Sequence, residues 1–403
     1  MANLLEGVRV LDFTHVHAGP LCTYQLALIG ASVLKIESPS GGDQMRQMGR
    51  TPEPSMSPGF IGQNANKRSL AVDLKRDEGQ AIVKQLIAES DVVVVNMRPG
   101  TSTRLGIDYD VCRNLKPDIV YCAISGYGQE GPESDRPAMD HLMQGESGMF
   151  LATGTAEQPV RVGFAIVDSS TAVIAASAIN AALFRASRSG EGAFLDVSML
   201  ECAMTVMGLN YYNYFATGTV NPRPGANPLA SIGSAGTWQC AEGTLLVNAN
   251  NYRAFTRMAR AVGRSDLIDD DRFDSILKLS QNGLELRSIF GEILTTEPAE
   301  HWDRVLREAG VPSGVLKGPP ETVKHVQLAH RNSIGIIDDV PGMSEAIRFL
   351  GAGFLVDGAP TTPQVAPPRL GEHSREVLAE LGYTPKEIEA FVENEVVSCP
   401  TVA

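Results

Sequence analysis

The sequence predicts an α/β protein with a Rossmann-like parallel sheet in a large domain and with a second, small α+β domain. Short apolar runs alternate with helical patterns through residues 8–124, as in a parallel sheet with crossover helices. A length of 403 residues exceeds what one simple hydrophobic core usually serves. A stretch rich in glycine and proline, residues 217–236, then precedes a hairpin pattern and several helical patterns. These observations predict two domains.

The elements follow in order along the chain. Strands are predicted at residues 8–11, 33–37, 91–96 and 119–124, and helices at 22–29, 78–89 and 109–115. Residues 136–154 read as irregular, before a long alanine-rich helix at 166–186, a strand at 194–197 and a helix at 199–215. A hairpin at 238–247, helical patterns over 252–309, short strands from 334 and a helix at 374–381 complete the prediction. Because ligands of parallel sheets bind beyond the carboxyl ends of the strands, we expect one crevice near residues 14–17, 37–42, 96–100 and 125–129.

Composition limits the classes of function and partner. A net charge of −13 argues against nucleic acid and anionic membranes as partners. No apolar run reaches the ~20 residues that span a bilayer, and no signal-peptide pattern precedes the first strand, so we expect a cytoplasmic protein with no membrane contact. The six cysteines are scattered without a CxxC pair, which predicts reduced thiols and neither a disulfide framework nor a zinc site.

The charge is unevenly distributed along the chain. Residues 1–104 hold 11 Lys and Arg against 10 Asp and Glu, whereas the remaining residues hold 23 against 37. A polyanionic small molecule would therefore favour the N-terminal part. Singly, the basic residues near predicted strand ends are ordinary surface charges, but together they would suit phosphates: Lys67, Arg68, Lys75, Arg98 and Arg104.

The segment LDFTHVHAGP, residues 11–20, forms the loop after the first predicted strand. It has one glycine, Gly19, and lacks the GxGxxG fingerprint, so an NAD-dependent dehydrogenase with Glu37 as the ribose-binding acid is disfavoured. The same loop contains His15 and His17, and histidines in loops are usually solvated or form ordinary hydrogen bonds. No HExxH motif or nearby carboxylate cluster accompanies them, so we predict no metal site.

Asp168 heads the alanine-rich helix in the sequence VDSS. One interpretation is a helix N-cap, since aspartate is among the best capping residues. The other is a nucleophile that the helix N-terminus keeps ionised, and the two roles are compatible. The serines lie in no GxSxG elbow, so a hydrolase triad is not supported.

Several separate motifs resemble those of the class III coenzyme A transferases and occur in the same order along the chain. This is the family of formyl-CoA transferase, carnitine CoA-transferase and α-methylacyl-CoA racemase. The motifs are LDFTHVHAGP, GASVLKIESPSGGD (30–43), NANKRSLAVDLK (64–75), NMRPGTSTRLG (96–106), ISGYGQEGP (124–132), the stretch 167–201 that begins VDSSTAVIAAS, AGVPSGVL (309–316) and PPRLGEHSREVLAELGY (367–383). The resemblance covers nearly the whole chain.

The resemblance implies a fold, an activity and a set of site residues. Asp168 falls on the nucleophile of the family, which forms an aspartyl anhydride and then an aspartyl-CoA thioester. The residues that match its CoA-binding segments are His15, His17, Ala18, Val72, Lys75, Asn96, Met97, Arg98, Arg104, Met139 and Asp140. It implies acyl-CoA and carboxylic acid substrates, no cofactor beyond coenzyme A, and a homodimer of interlocked rings. The implied domains are 1–216 (large CoA-binding domain, first part), 217–236 (linker or lid loop), 237–330 (small domain) and 331–403 (return to the large domain).

Two departures from the family pattern bear on specificity. The formyl-CoA enzyme has a glutamine where this chain has His17. It also has a run of glycines in the region that matches residues 231–236, which contain only two glycines here. Racemase members of the family have a histidine where this chain has Met139. His141 lies two residues away and is expected to point in a different direction from that histidine. We therefore expect transfer from a donor such as succinyl-CoA to an acid larger or more polar than formate or oxalate. An acyl-CoA racemase and a catalytically silent CoA-binding subunit remain the alternatives.

Overall fold

The structure is a computed structural model, and it describes residues 3–49, 55–223, 225 and 232–400. The chain forms two compact units. The first comprises Met1–Ser147, Val162–Tyr212 and Val326–Ala403, and the second comprises Gly148–Arg161 and Asn213–His325. Gly148–Arg161 thus belongs to the second unit, whereas the sequence analysis placed these residues in the large domain.

The strands are short, as is usual for α/β proteins. They are β1 (Arg9–Asp12), β2 (Ser32–Glu37), β3 (Lys67–Val72), β4 (Val92–Val95), β5 (Val120–Ser125), β6 (Ala193–Ser198), β7 (Ala235–Gln239), β8 (Thr244–Asn248), β9 (Ser313–Val315), β10 (Ile334–Ile337), β11 (Ile347–Leu350), β12 (Leu355–Val356), β13 (Ala359–Pro360) and β14 (Val397–Ser398).

The helices vary from single turns to one long core helix. They are α1 (Ala18–Leu28), α2 (Pro58–Asn64), α3 (Asp77–Ala88), α4 (Thr101–Arg104), α5 (Tyr109–Leu115), α6 (Asp140–Glu146), α7 (Met149–Ala152), α8 (Ile166–Ser189), α9 (Met199–Val206), α10 (Gly208–Thr217), α11 (Tyr252–Ala261), α12 (Ile276–Gln281), α13 (Gly283–Leu294), α14 (Ala299–Glu308), α15 (Pro319–Thr322), α16 (Val326–His330), α17 (Ser374–Glu380) and α18 (Pro385–Glu393). Two 3₁₀ helices span Gln44–Gln47 and Ser265–Ile268.

A seven-stranded sheet organises the first unit, in the order β14-β3-β2-β1-β4-β5-β6. All neighbours are parallel except β14, which runs antiparallel to β3. Strands β4 and β5 are buried along their whole length, since helices cover both faces of a parallel sheet. The predicted α/β fold with a large, mainly parallel sheet is confirmed. Its strand order reverses between β1 and β4, and ligands of doubly wound sheets bind at such a switch point.

Helix α8 is the longest helix and packs against α1, β5, β6 and α9. By length and composition it could cross a membrane, with a mean hydropathy of 1.5 over its most apolar window. The expectation that no apolar stretch is long enough to span a bilayer was therefore wrong. The same test is passed by core helices of soluble proteins, and α8 buries seven residues: Val167, Thr171, Ala172, Ala175, Ala176, Ile179 and Ala182.

The second unit has its own core. Strands β7, β8 and β9 form an antiparallel sheet, and the buried side chains include Trp238, Phe255, Phe290 and Trp302. Of the predicted linker or lid loop 217–236, residues 224 and 226–231 lie outside the described residues. Its end, residues 232–236, is packed, and the buried Ser234 donates its hydroxyl to the carbonyl of Ala249 at 2.7 Å.

Five local predictions were wrong or incomplete. Residues 136–154 contain α6 and α7 instead of irregular chain, and the helix predicted at 199–215 is divided into α9 and α10. Strand β3 was not predicted because Lys67 and Arg68 make its first half look exposed, although Lys67 is fully buried. Strand β14 was also missed, since its pairing with the distant β3 leaves no local pattern. Helix α18 was missed although a capping box of Thr384 and Glu387 marks its start.

Candidate active site

A cavity of about 640 Å³ opens beyond the carboxyl ends of β1, β4 and β5 in the first unit. It lies at the switch point of the sheet, where the sequence predicted a crevice. Nine predicted site residues line it: His15, His17, Ala18, Asn96, Met97, Arg98, Met139, Asp140 and Asp168. The loops after three separate strands therefore bring these residues together.

The loop after β1 is held by side chains from two other strand ends. The N–H of His15 donates to Oδ1 of Asn96 at 2.8 Å, and Nδ2 of Asn96 donates back to the carbonyl of His15 at 2.7 Å. The N–H of Val16 donates to Oδ1 of Asp43 at 2.9 Å. Val16 has a φ of 68°, which a β-branched residue rarely adopts, so these bonds stabilise a strained backbone at the cavity.

A network of buried charged side chains stabilises the same loop. Nζ of Lys67 lies 3.0 Å from Oδ2 of Asp12, and Nζ of Lys35 donates to the carbonyl of Thr14 at 2.6 Å. Burial raises the pKa of Asp12, but the ammonium groups of Lys35 and Lys67 outweigh it and hold that pKa well below its usual range. Burial lowers the pKa of Lys67 to about 8, against the opposing effect of Asp12. Lys67 is therefore a structural cation, and its predicted role as a phosphate contact was wrong.

Asp168 occupies the third position of α8 instead of the N-cap, which is Ala165. The capping role belongs to Asp140, whose Oδ1 accepts the N–H groups of Val167 at 2.8 Å and Asp168 at 3.1 Å. Burial, and then the charge of Asp140, raise the pKa of Asp168 to about 7. The expectation that the helix N-terminus keeps Asp168 fully ionised was therefore wrong. A carboxyl group that titrates near neutral pH inside a cleft is typical of functional sites.

The two loop histidines are largely neutral groups. Burial lowers the pKa of both His15 and His17. Nε2 of His17 lies 3.1 Å from Oγ of Ser169, next to Asp168. A neutral imidazole can donate one hydrogen bond and accept another, so His17 can contact a substrate without carrying a charge.

His141 lines the cavity, contrary to the expectation that it would point elsewhere. The neighbouring Met139 is also at the wall, with 59% of its surface exposed. A thioether cannot take up or release a proton, so Met139 offers only apolar contact at the position where racemases have histidine.

The remaining predicted CoA contacts lie outside the cavity wall. Val72 is buried at the end of β3, and Lys75 is exposed just after that strand. Arg104 is exposed at the end of α4 and donates to Oγ1 of Thr101, which does line the cavity. Arg68 forms ion pairs with Glu376 and Glu380, so it is not a free cation for phosphate.

Several supporting residues were not identified from the sequence. Asp43 and Gln144 look like ordinary surface residues, yet Asp43 holds Val16 and Gln144 donates to Oδ2 of Asp140 at 2.7 Å. The spacing of Asp140 and Gln144 is the (i, i+4) spacing of helical neighbours, which would have paired them once α6 was recognised. Within the described ranges, no three His, Cys, Asp or Glu side chains are grouped as metal ligands would be.

The model of CoA-transferase family III matches residues 5–374, and the chain belongs to that family. The mouse succinyl-CoA:glutarate CoA-transferase is 33% identical over 94% of this chain and 86% of the mouse protein. The succinyl-CoA–D-citramalate CoA-transferase of Chloroflexus aurantiacus is 31% identical over 94% of each chain. A CAIB/BAIF family protein from Brucella suis has a similar structure, with a TM-score of 0.84 and 27% identity over 94% of this chain and all of that protein. The resemblance inferred from the motifs is confirmed.

Proposed function

We propose that this enzyme transfers coenzyme A from an acyl-CoA donor such as succinyl-CoA to a carboxylic acid acceptor, with Asp168 as a covalent nucleophile. The observation that supports the proposal most is the placement of Asp168 at the wall of the switch-point cavity, with a pKa raised to about 7. A carboxylate taken partly out of water is more basic than one at the surface, and a basic carboxylate is a better nucleophile.

The proposed reaction exchanges one acid for another through two covalent states of Asp168. Its carboxylate oxygen attacks the thioester carbonyl, the C–S bond breaks, and the acyl group remains on Asp168 as a mixed anhydride beside CoA thiolate. The thiolate attacks the carbonyl carbon of Asp168, the anhydride C–O bond breaks, and the donor acid leaves. The acceptor carboxylate then reverses both steps. Each anion that forms is consumed, so no oxidant and no net proton is needed.

The proposed acceptor is a small dicarboxylic or hydroxy acid. The relatives reported above are named for succinyl-CoA with glutarate and with D-citramalate, and both acids carry a second carboxylate. The neutral imidazole of His17 can donate a hydrogen bond to such a group, whereas a positive charge there is disfavoured by burial. The CoA-binding role of the wall residues, and of Val72, Lys75 and Arg104 outside the wall, is part of the same proposal.

An acyl-CoA racemase remains a second candidate because His141 lines the cavity. A 1,1-proton transfer requires two acid–base groups that face the α-carbon. Incubation of a 2-methylacyl-CoA in heavy water distinguishes the two activities. A transferase leaves the α-carbon unlabelled, whereas rapid deuterium entry without CoA transfer would favour the racemase.

We propose further that the chain acts as a cytoplasmic homodimer. Large apolar side chains of the first unit lie exposed on α8 and α10, among them Phe184 and Leu209, and exposed apolar clusters commonly mark protein interfaces. All six cysteines are free thiols, as in reducing compartments. Light scattering of the purified protein should give twice the mass of one chain, and cell fractionation tests the location.

The transfer proposal is tested with a panel of free carboxylic acids, each incubated with succinyl-CoA or acetyl-CoA. Mass spectrometry should detect new CoA thioesters, with hydroxy acids and dicarboxylic acids larger than oxalate preferred over formate and oxalate. Asp168→Ala should abolish transfer while CoA still binds. Hydroxylamine added during turnover should modify Asp168. Near-normal turnover by Asp168→Ala would reject the covalent mechanism, and a silent binding subunit would show no transfer with any acid.

A further inference from the structure

Two side chains of α6 hold the segment of chain that leads into α8. Asp140 accepts two backbone N–H groups of α8, as described above, and Nε2 of Gln144 donates to its other oxygen. Oε1 of Gln144 accepts the N–H of Val162 at 2.9 Å, and its Nε2 also approaches the carbonyl of Phe164 at 3.3 Å. The pair therefore connects to both ends of residues 162–168, the seven residues that end at the nucleophile. We call Asp140 and Gln144 the α6 clamp.

The α6 clamp uses the hydrogen bonds that a carboxylate near a helix N-terminus would otherwise receive. The first N–H groups of a helix have no partner within the helix and ordinarily stabilise a nearby anion. Here the N–H groups of Val167 and Asp168 are directed to Asp140. Among the described residues, burial and the charge of Asp140 are the influences on the carboxylate of Asp168, and no hydrogen-bond donor to it is among them.

We propose that Asp140 is a positioning residue that activates Asp168, because it fixes the backbone of the nucleophile, withholds the helix amides from its carboxylate and places a like charge nearby. This inference rests on the proposed role of Asp168. It gives Asp140 a role besides the expected CoA contact, because both of its oxygens already accept hydrogen bonds from protein donors.

The charges around Asp168 agree with this assignment. Burial and the Asp140 carboxylate both raise the pKa of Asp168, and they act in the same direction. The other titratable or charged groups at the cavity wall are His15 and His17 from the first loop, Arg98 after β4, and Arg136 and His141 on either side of Asp140. Arg136 forms ion pairs with Glu133 at 2.7 Å and with Glu146 at 3.1 Å. Helix α9 packs against α8 and has one acidic residue, Glu201, in its first turn.

The first experiment measures the titration of Asp168 without any substrate. The protein is labelled with [4-¹³C]aspartate, and the Asp168 signal is assigned by its loss in Asp168→Asn. The wild-type signal should titrate near pH 7. Asp140→Asn retains an oxygen that accepts the two N–H groups but removes the charge and the acceptor of the Gln144 bond, so the titration midpoint should fall. Gln144→Met, of similar volume, also loses that bond but retains the charge, and it should not lower the midpoint.

The second experiment measures kcat and KM for succinyl-CoA against pH. Asp140→Asn should move the acidic limb of kcat/KM to lower pH and reduce kcat on the plateau, because the nucleophile is less basic. Asp140→Ala loses the clamp as well and should lower kcat further, by on the order of 10²-fold, as expected for a misplaced reacting group, with a smaller change in KM. A residue that only stabilised the fold would leave the pH profile of Asp140→Asn unchanged.

The outcomes separate this inference from the proposed function. If Asp168→Asn abolishes turnover while Asp140→Asn shifts neither the NMR midpoint nor the pH profile, the activating role of Asp140 is overturned and the nucleophile assignment stands. If the NMR midpoint shifts in Asp140→Asn but Asp168→Asn retains turnover, the electrostatic coupling stands and the nucleophile assignment is rejected. Circular dichroism of each variant establishes that it is folded.

Discussion

Nε2 of His17 lies 3.1 Å from Oγ of Ser169, and this contact joins the start of α1 to the first turn of α8 one residue after Asp168. It fixes the imidazole ring beside the candidate nucleophile. Ser169→Ala should free the ring and lower kcat by about 2- to 12-fold, the equivalent of one ordinary hydrogen bond, with KM for acyl-CoA little changed.

The matched control is Ser170→Ala. Oγ of Ser170 donates to the carbonyl of Val167 at 3.0 Å within the same turn, without contact to His17. Its loss should leave kcat close to that of the wild type. Equal effects of the two substitutions would mean that the His17 contact has no special role.

The pKa of Asp168 predicts how the rate depends on pH. Attack on the thioester requires the carboxylate form, and kcat/KM reports the titration of the free enzyme. With a pKa raised to about 7, kcat/KM should fall about tenfold for each pH unit below that value and level off above it. An aspartate with an ordinary pKa of about 4 would give a flat profile over pH 5–8. Such a flat profile, measured with succinyl-CoA and glutarate, would contradict the assignment.

The same shift predicts how stability depends on pH. The folded-state pKa of Asp168 lies above the unfolded value of 3.8, so the folded protein binds this proton more tightly. The group's contribution to stability is fully present below pH 3.8 and is lost as the pH rises through about 7. Asp168→Asn should therefore raise Tm more at pH 8 than at pH 5. A Tm difference that is independent of pH, measured by calorimetry, would contradict the shift.

The sequence predicts the sheet well because burial on both faces leaves a local record. The four valines of β4 form an uninterrupted apolar run, and the helical stripe of α3 is visible as Ile82, Val83, Leu86 and Ile87. In contrast, β3 begins with Lys67, whose burial depends on Asp12 more than 50 residues earlier. A salt bridge between distant residues leaves no periodic pattern, so β3 was not predicted.

The site was predicted at the level of its residues but not of its hydrogen bonds. The family motifs identify Asp168 and the first loop, and strand ends of a parallel sheet bring them together. The sequence favoured Asp168 itself as the helix cap because of its position in VDSS. The cap is Asp140, which comes from α6, a helix that was not recognised. Because that short helix was not recognised, the effect of the Asp140 charge on the pKa of Asp168 was not predicted.

The buried pair of Lys67 and Asp12 gives a stability prediction. Lys67→Met leaves the Asp12 carboxylate in the core with Lys35 at 4.0 Å as its remaining cation. Removal of one partner of a buried ion pair costs about 3–5 kcal/mol in the free energy of unfolding. Arg9→Met is the control, because it breaks the exposed pair with Glu89 and should cost less than about 1 kcal/mol.

Urea unfolding followed by circular dichroism compares these two variants. If Lys67→Met does not fold, the double substitution Asp12→Asn with Lys67→Met should recover soluble, folded protein, since no unpaired charge then remains. An equal loss of stability in the Lys67 and Arg9 variants would contradict a structural role for the buried pair.

The last prediction concerns the phosphates of coenzyme A. Arg98 lines the cavity, whereas Lys75 and Arg104 lie outside its wall, and all three side chains are exposed. Arg98→Ala should therefore weaken CoA binding most, by at most about 1.5–3 kcal/mol, the value of a charge-assisted hydrogen bond before solvent screening. Lys75→Ala and Arg104→Ala should each cost less than about 1 kcal/mol, because neither lines the cavity and water and salt screen their charges. Calorimetric titration with CoA at low and at high salt measures these differences, with Arg9→Met at the opposite end of β1 as the control.

If Arg98→Ala binds CoA as tightly as the wild type, the phosphates lie elsewhere. If Lys75→Ala or Arg104→Ala costs more than Arg98→Ala, coenzyme A extends from the cavity towards the end of β3 or α4 instead.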